Sequence, residues 1–319
     1  MERAIKLLQE AKTVLVACHR RPDADALGSA LGFAFIARHI GKEVCVYVPD
    51  ALPPNLRFPA CGDIQREFPD AASDLTLAMD TAATALLPSG LPPESQRGPL
   101  VIVDHHAAHD DVGDVIVRDV DACATAEVVM DMAEILGVRP VPARAATPLY
   151  AALVADTGGF RYPSTRSRVL RMGAELIDGG ADPWHVAYEL FEGWQPSRLH
   201  LLGAVLDSLE VSLDGRLAMM FVTRKMLDTC GADDDMVEGM VNYGRMLRGV
   251  EVAALVWEFE TPNGLETKVS LRSRGEADVS TLATQLGGGG HRSAAGTQVT
   301  LSMEATADRL RQLVGALLA

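Results

Sequence analysis

His19, Asp23 and Asp25 stand close together in His19-Arg20-Arg21-Pro22-Asp23-Ala24-Asp25, directly after the β-rich apolar run Thr13 to Cys18. One imidazole and two carboxylates on a strand-to-helix turn can be aimed at one point, as a hard divalent cation requires. The plain alternative is that Asp23 or Asp25 only caps the following helix. Asp80 ends a second apolar run, Leu75 to Met79, and Asp104-His105-His106 ends a third, Leu100 to Val103. Adjacent histidines at the end of a buried strand are costly to place without a task, the bland reading being a hydrogen-bonded core histidine beside an exposed one. Asp156 closes an apolar helical segment and precedes Thr157-Gly158-Gly159, where a glycine C-cap is the competing reading. Pooled, these donors are rich in carboxylate oxygen, carry a minority of imidazole and include no thiolate. That mixture suits Mn²⁺ first, then Mg²⁺, Fe²⁺ or Zn²⁺. So many carboxylates favour two metals over one, the usual device for in-line attack on phosphorus.

A second pattern reads Gly287-Gly288-Gly289-Gly290-His291-Arg292-Ser293-Ala294-Ala295-Gly296. Consecutive glycines let a backbone approach a ligand and direct several N–H groups at an anion. His291 and Arg292 would add charge-assisted contacts. The run is neither a Walker loop nor a dinucleotide fingerprint, and a flexible linker is its bland reading. Upstream, Val269-Ser270-Leu271-Arg272-Ser273-Arg274 carries guanidinium groups at a strand end, or else forms an exposed basic edge.

The elements that must position these residues alternate. After the strand at Thr13 comes a helix from Asp25 to Ile40, closed by Gly41, then a strand from Glu43 to Val48. Helices are expected at Thr125 to Leu136, Ala143 to Ala155 and Arg166 to Ile177, with another opening at Asp182-Pro183. Alternation of this kind predicts an α/β fold, a mainly parallel sheet flanked by helices, with its site at the carboxyl ends of the strands. After Leu206 the pattern changes to hairpins, at Asp214-Gly215 and at Asn263-Gly264, and to helices near Met236 to Leu247, Val279 to Leu286 and Met303 to Leu318. This predicts a smaller α+β C-terminal domain. The expected boundaries are 1–192 for the first domain, 193–206 for a linker and 207–319 for the second.

The 319 residues carry a net charge of −14, which opposes binding to long polyanions but not to a short nucleotide held by local cations. The five cysteines are Cys18, Cys45, Cys61, Cys123 and Cys230, an odd and widely spaced set without C-x-x-C. That argues against a disulfide framework or a thiolate zinc site. With a charged start and no long apolar stretch, the expectation is a soluble cytoplasmic protein without membrane contact.

In order and rough spacing, His19…Asp23-x-Asp25, Asp80, Asp104-His105-His106 and Asp156 resemble the four motifs of the DHH phosphoesterase superfamily. Ser270-Leu271-Arg272-Ser273 and the glycine run resemble its DHH-associated C-terminal domain. The resemblance spans nearly the whole chain and is nearest to the two-domain nanoRNase and pAp phosphatase type. Ala24 stands where glycine is frequent, and Arg292-Ser293 where Lys-Asn is frequent. The resemblance implies two Mn²⁺ ions: His19 and Asp23 on one, Asp25, His105 and Asp156 on the other, Asp80 bridging. It implies that His106 contacts the scissile phosphate, that Asp104 orients a histidine, and that Arg272, Ser273, Gly289, Gly290, His291 and Arg292 bind substrate. The implied substrates are short oligoribonucleotides or 3′-phosphoadenosine 5′-phosphate. Cyclic di-AMP or linear dinucleotides, or a catalytically silent nucleotide sensor, are the alternatives. A homodimer is within expectation.

Overall fold

The computed structural model describes every residue except 60, 61, 69, 70, 108, 109, 111, 262 and 263, and of His291 the backbone alone. The chain divides after Gly193 into two units. The first contains strands β1 (Thr13–Cys18), β2 (Glu43–Tyr47), β3 (Ile64–Gln65), β4 (Leu75–Met79), β5 (Leu100–Asp104) and β6 (Val115–Arg118). All pair in parallel, in the order β3-β2-β1-β4-β5-β6. This is the order of doubly wound α/β sheets, whose ligand crevice opens where the strand order reverses. Here that point lies between β1 and β4, whose last residues precede His19 and Asp80.

The helices of this unit are α1 (Glu2–Glu10), α2 (Ala24–His39), α3 (Glu94–Arg97), α4 (Thr125–Ile135), α5 (Ala143–Asp156), α6 (Ser167–Asp178) and α7 (Pro183–Phe191). Strand residues alternate between two cores, as the pleat requires. Leu77, Met79, Val101 and Val103 join the core formed with α2, α4 and α5, while Ala78 and Ile102 pack with Leu87 and Leu91. Helix α2 is buried along Ala24 to Ala37, so its sequence is apolar all round and rich in Ala and Gly rather than amphipathic. Small residues let it lie close to α5.

The second unit begins with α8 (Pro196–Asp207), whose Leu201, Leu202 and Val205 are buried in that unit's core, so much of the segment 193–206 is helical here. It continues with β7 (Glu210–Ser212), β8 (Leu217–Val222), α9 (Arg224–Cys230), α10 (Val241–Arg245), β9 (Val252–Thr261), β10 (Gly264–Ser273), α11 (Val279–Gln285), β11 (Gly289–His291), β12 (Ala294–Val299) and α12 (Met303–Leu317). The sheet runs β11-β12-β10-β9-β8-β7 and is antiparallel except for the β8–β9 pair. The α+β expectation holds, with local differences. The helix expected from Met236 to Leu247 is broken by Gly239 at φ +82, leaving a 3₁₀ turn before it and α10 after it. The Asp214-Gly215 hairpin closes through four residues, because Ser212 pairs with Leu217. Of the second expected turn, Asn263 lies outside the described residues. Among the described residues no helix is long and apolar enough to cross a membrane.

The α2–α5 contact gives a test of how tightly this scaffold is set. A Cβ on Gly28 would stand 2.3 Å from the carbonyl oxygen of Pro148 and 3.0 Å from Ala152 Cβ. Helix propensity alone favours Ala over Gly by roughly 1 kcal/mol, but overpacking costs about 1–3 kcal/mol. Gly28→Ala is therefore expected to lower the Tm. A raised Tm would show that the helices separate without cost.

Candidate metal centre

Each donor at the switch point is placed by local backbone. His19 is the first residue after β1, and its Nδ1 donates to the carbonyl of Arg20 at 2.9 Å. That bond turns Nε2 toward Asp23 at 3.7 Å and Asp80 at 3.5 Å. Asp23 is the N-cap of α2, accepting from Ala26 N at 2.9 Å, so capping and clustering are both true of it. Asp80 follows β4 with φ +55, a left-handed conformation that a non-glycine residue holds only when its surroundings impose it.

Asp25 is fully buried in the first turn of α2. Its Oδ1 accepts from Ser29 Oγ at 2.9 Å and Ala126 N at 3.1 Å, and its Oδ2 from Thr125 N at 2.6 Å. The N-cap of α4 is Ala124, which has no side-chain acceptor, so Asp25 caps that helix from a distant part of the chain. His105 Nδ1 donates to the Ala122 carbonyl at 3.3 Å and directs Nε2 to Asp156 at 3.3 Å and to Asp25 and Asp80 at 3.7 Å each. Asp104 accepts through one oxygen from the backbone N–H of His105 and of His106 and from His106 Nδ1, the last at 2.7 Å. Glu127, also fully buried, fastens the same region: it accepts from Cys123 N and is gripped by both Arg166 and Arg168.

The donor atoms form three overlapping triads, His19–Asp23–Asp80, Asp25–His105–Asp156 and Asp80–His105–His106, each within 4.8 Å. The electrostatics show an unmet demand for positive charge. Burial, then the carboxylates of Asp80 and Asp156, push Asp25 well up. Burial raises Asp156 to about 6, even with His105 beside it. Asp156 also sits at the carboxyl end of α5, the negative pole of the helix dipole. Against the opposing effect of burial, carboxylate partners raise His19 to about 11 and His105 and His106 to about 10. Asp80 is held well below the usual range although burial opposes this, because His106 and His19 face it. Among the described residues, histidines are the cationic partners of Asp25, Asp80 and Asp156. Nearby Cys18 and Cys123 are kept as thiols, raised by burial and by adjacent carboxylates. Oxygen-dominated donors with Nε2 atoms already aimed, which become ligands on losing their protons, fit hard or borderline divalent cations.

All of His19, Asp23, Asp25, Asp80, His105, His106 and Asp156 come together here, with Asp104 behind the histidines. Thr125, Glu127 and Arg166 also belong to the setting and did not stand out in the sequence. An Ala-Thr-Ala-Glu helix start, with Glu at its third position, was the available signal.

The remaining sequence-derived residues lie in the second unit. Arg272 pairs across the sheet with Ala294, which pairs with His291, so the three occupy one rung. Ser273 is buried and donates to the Arg292 carbonyl at 3.1 Å, while the Arg292 guanidinium binds Glu276 at 2.7 Å. Gly288 and Gly290 have a steric reason to be glycine: a Cβ would meet Gly296 O at 2.2 Å and Ala295 Cα at 2.5 Å. Gly289 has open space around its Cα.

The raised values have a measurable sign. Between pH 6.5 and about 10 the folded metal-free protein holds protons on His19, His105 and His106 that the unfolded chain has lost, so its stability falls as pH rises. Asp156 adds the same sign between its ordinary value and about 6. The Tm of chelator-treated protein should therefore fall from pH 6.5 to 9.5, and Mn²⁺ should raise it more at pH 8.5 than at 6.5. A flat metal-free profile would show that the cluster is not electrostatically loaded.

Residues 13–155 match the DHH family, N-terminal domain, and residues 219–319 match the DHHA1 domain. The chain is 32% identical over 307 residues to the bifunctional oligoribonuclease and PAP phosphatase NrnA of Thermus thermophilus, covering 94% of this chain and 89% of that one. It is 25% identical to the Bacillus subtilis protein of the same name, with 92% of each covered. A crystal structure of an exopolyphosphatase-related protein from Bacteroides fragilis superimposes with a TM-score of 0.89 at 26% identity, over 98% of this chain and 94% of that one. With both domains matched and the site's donors in place, the chain belongs to the DHH family of phosphoesterases and is a hydrolytic enzyme.

Proposed function

We propose that this enzyme hydrolyses short nucleotides, di- to pentanucleotides and 3′-phosphoadenosine 5′-phosphate, using two Mn²⁺ ions at the switch point. The observation that carries the two-metal reading is the division of Asp80: Oδ2 lies 3.5 Å from His19, and Oδ1 lies 3.7 Å from His105. One carboxylate thus serves two triads. In this reading His19 and Asp23 hold one ion, Asp25, His105 and Asp156 hold the other, and Asp80 bridges. Such a pair, when bound, supplies Lewis-acid neutralisation of the phosphate and an acidified water.

The chain's own residues do the rest. His106 is anchored through Nδ1 to Asp104, so Nε2 is the atom that can hold a phosphate oxygen and pass a proton to the leaving oxygen. Despite burial, its hydrogen bond to Asp104 and the nearby Asp80 carboxylate raise it to about 10 in the metal-free protein, the direction a proton donor requires. Arg272, Gly289, Gly290 and His291 bind the nucleotide, with Ser273 and Arg292 ordering the loop that presents them. The net charge of −14 favours short substrates over long strands, and a cytoplasmic location fits such substrates.

The names of the two relatives above support the substrate class. A cyclic-di-AMP phosphodiesterase of Listeria monocytogenes is 28% identical over 98% of this chain, but this chain covers only 48% of that protein. Cyclic di-AMP therefore belongs in the test panel. The complete donor set disfavours a silent sensor.

With Mn²⁺, purified protein is expected to release phosphate from 3′-phosphoadenosine 5′-phosphate and mononucleotides from di- to pentanucleotides, and to lose both activities on chelation. His106→Asn should lower kcat by about 10²–10⁴-fold while Mn²⁺ binding persists. Arg272→Ala should lower kcat/KM on a dinucleotide by about 10–100-fold, the usual worth of a hydrogen bond to a charged group. Turnover of nitrophenyl phosphate, which has no base, should change little. Equal losses on both substrates would remove Arg272 from recognition, and preferred turnover of long single strands would overturn the substrate assignment.

A further inference from the structure

Thr125 is fully buried at the first position of α4 and touches both halves of the centre. Its backbone N–H donates to Asp25 Oδ2 at 2.6 Å, and its hydroxyl donates to Asp80 Oδ1 at 2.8 Å. The partners lie 100 and 45 residues away in sequence, so one residue ties a carboxylate of α2 to one at the end of β4. We infer that Thr125 is the positioning residue that fixes the plane of the Asp80 carboxylate and so divides its two oxygens between the two metal sites. This inference rests on the two-metal reading above.

The argument is one of degrees of freedom. Asp80 leaves β4 in a left-handed conformation, so its backbone aims the side chain inward but does not set the rotation of the carboxylate. The nitrogens of His19, His105 and His106 stand 3.4–3.7 Å from its oxygens, too long for directional hydrogen bonds. Among the described residues, the Thr125 hydroxyl makes the one short hydrogen bond to this carboxylate. With that bond in place, Oδ2 is turned to the His19 side and Oδ1 to the His105 side.

The hydroxyl is itself well held. Thr125 N and Ala126 N both donate to Asp25, which pins the start of α4. Glu127, two residues on, accepts from Cys123 N and is clamped by Arg166, fixing the turn that leads into the helix. A β-branched side chain on such a turn has few rotamers to lose. The donor is therefore preorganised before any cation arrives.

Thr125→Val keeps the shape and the backbone donor and deletes only the hydroxyl; Thr125→Ser keeps the hydroxyl and deletes only the methyl. The measurements are Mn²⁺ titration of chelator-treated protein by calorimetry, the spin-coupled dimanganese signal by electron paramagnetic resonance, and the metal-free Tm. Thr125→Val should weaken Mn²⁺ binding by about 10–100-fold, the usual effect of losing an outer-shell partner. It should also lose the coupled signal at Mn²⁺ concentrations that saturate wild type. Thr125→Ser should stay within a few-fold of wild type and keep the signal, and both variants should stay folded without metal, Thr125→Val with the lower Tm because the buried Asp80 carboxylate loses its donor. Wild-type affinity and signal in Thr125→Val overturn the inference. So does a loss in Thr125→Ser equal to that in Thr125→Val, or metal-free Thr125→Val that is already unfolded at the titration temperature, since each would make the role one of packing. Wild-type protein that binds one Mn²⁺ without a coupled signal refutes the two-metal reading itself, whatever Thr125 does.

Discussion

Like charge crowded into a buried place is the constraint on which the first unit depends. Asp25, Asp80 and Asp156 arrive from α2, from the end of β4 and from the end of α5, and meet at the reversal of strand order. Carboxylates removed from water are costly unless paired and hydrogen-bonded. Much of the surrounding structure lowers that cost in part: two N–H groups at the start of α4 serve Asp25, the Thr125 hydroxyl serves Asp80, and histidine nitrogens approach all three. What these groups leave over is a demand for cationic charge, visible in the raised Asp25 and Asp156 and in the strongly raised histidines.

The scaffold holds this arrangement through rigid elements rather than loops. Parallel strands β1, β4 and β5 end side by side, so His19, Asp80 and the Asp104–His106 segment start from neighbouring positions in one sheet. Helix α2 carries Asp23 and Asp25 and is locked against α5, which carries Asp156, by a contact so close that Gly28 faces a carbonyl oxygen. A shift of α2 relative to α5 would move carboxylates of both proposed metal sites at once. This is why packing far from the chemistry belongs to the account of the site.

The sequence made the donor set legible because each donor follows a hydrophobic run, and runs ending in Asp or His are readable without knowing how the strands pair. The parallel sheet was legible for the same reason. Four things were not. Thr125 and Glu127 were hidden because their partners are distant in the chain, and a Thr at a helix start is ordinary. Strand β12 was hidden because Ala294-Ala295-Gly296 has little strand propensity; it is a strand because β10 offers it an edge. The glycine run was read as a cradle for a ligand, whereas Gly288 and Gly290 are also demanded by the backbone of β12. The helix broken at Gly239 was misjudged because apolar periodicity continued through a residue whose φ is +82.

The central claim is that the carboxylate cluster is completed by two divalent cations that share Asp80. Anomalous diffraction at the manganese edge, from crystals grown with Mn²⁺, tests it most directly. The account predicts two peaks about 3.5–4 Å apart, one beside His19 and Asp23, the other beside Asp25, His105 and Asp156, with Asp80 touching both. A single peak at full occupancy, or two peaks with Asp80 touching only one, would contradict it.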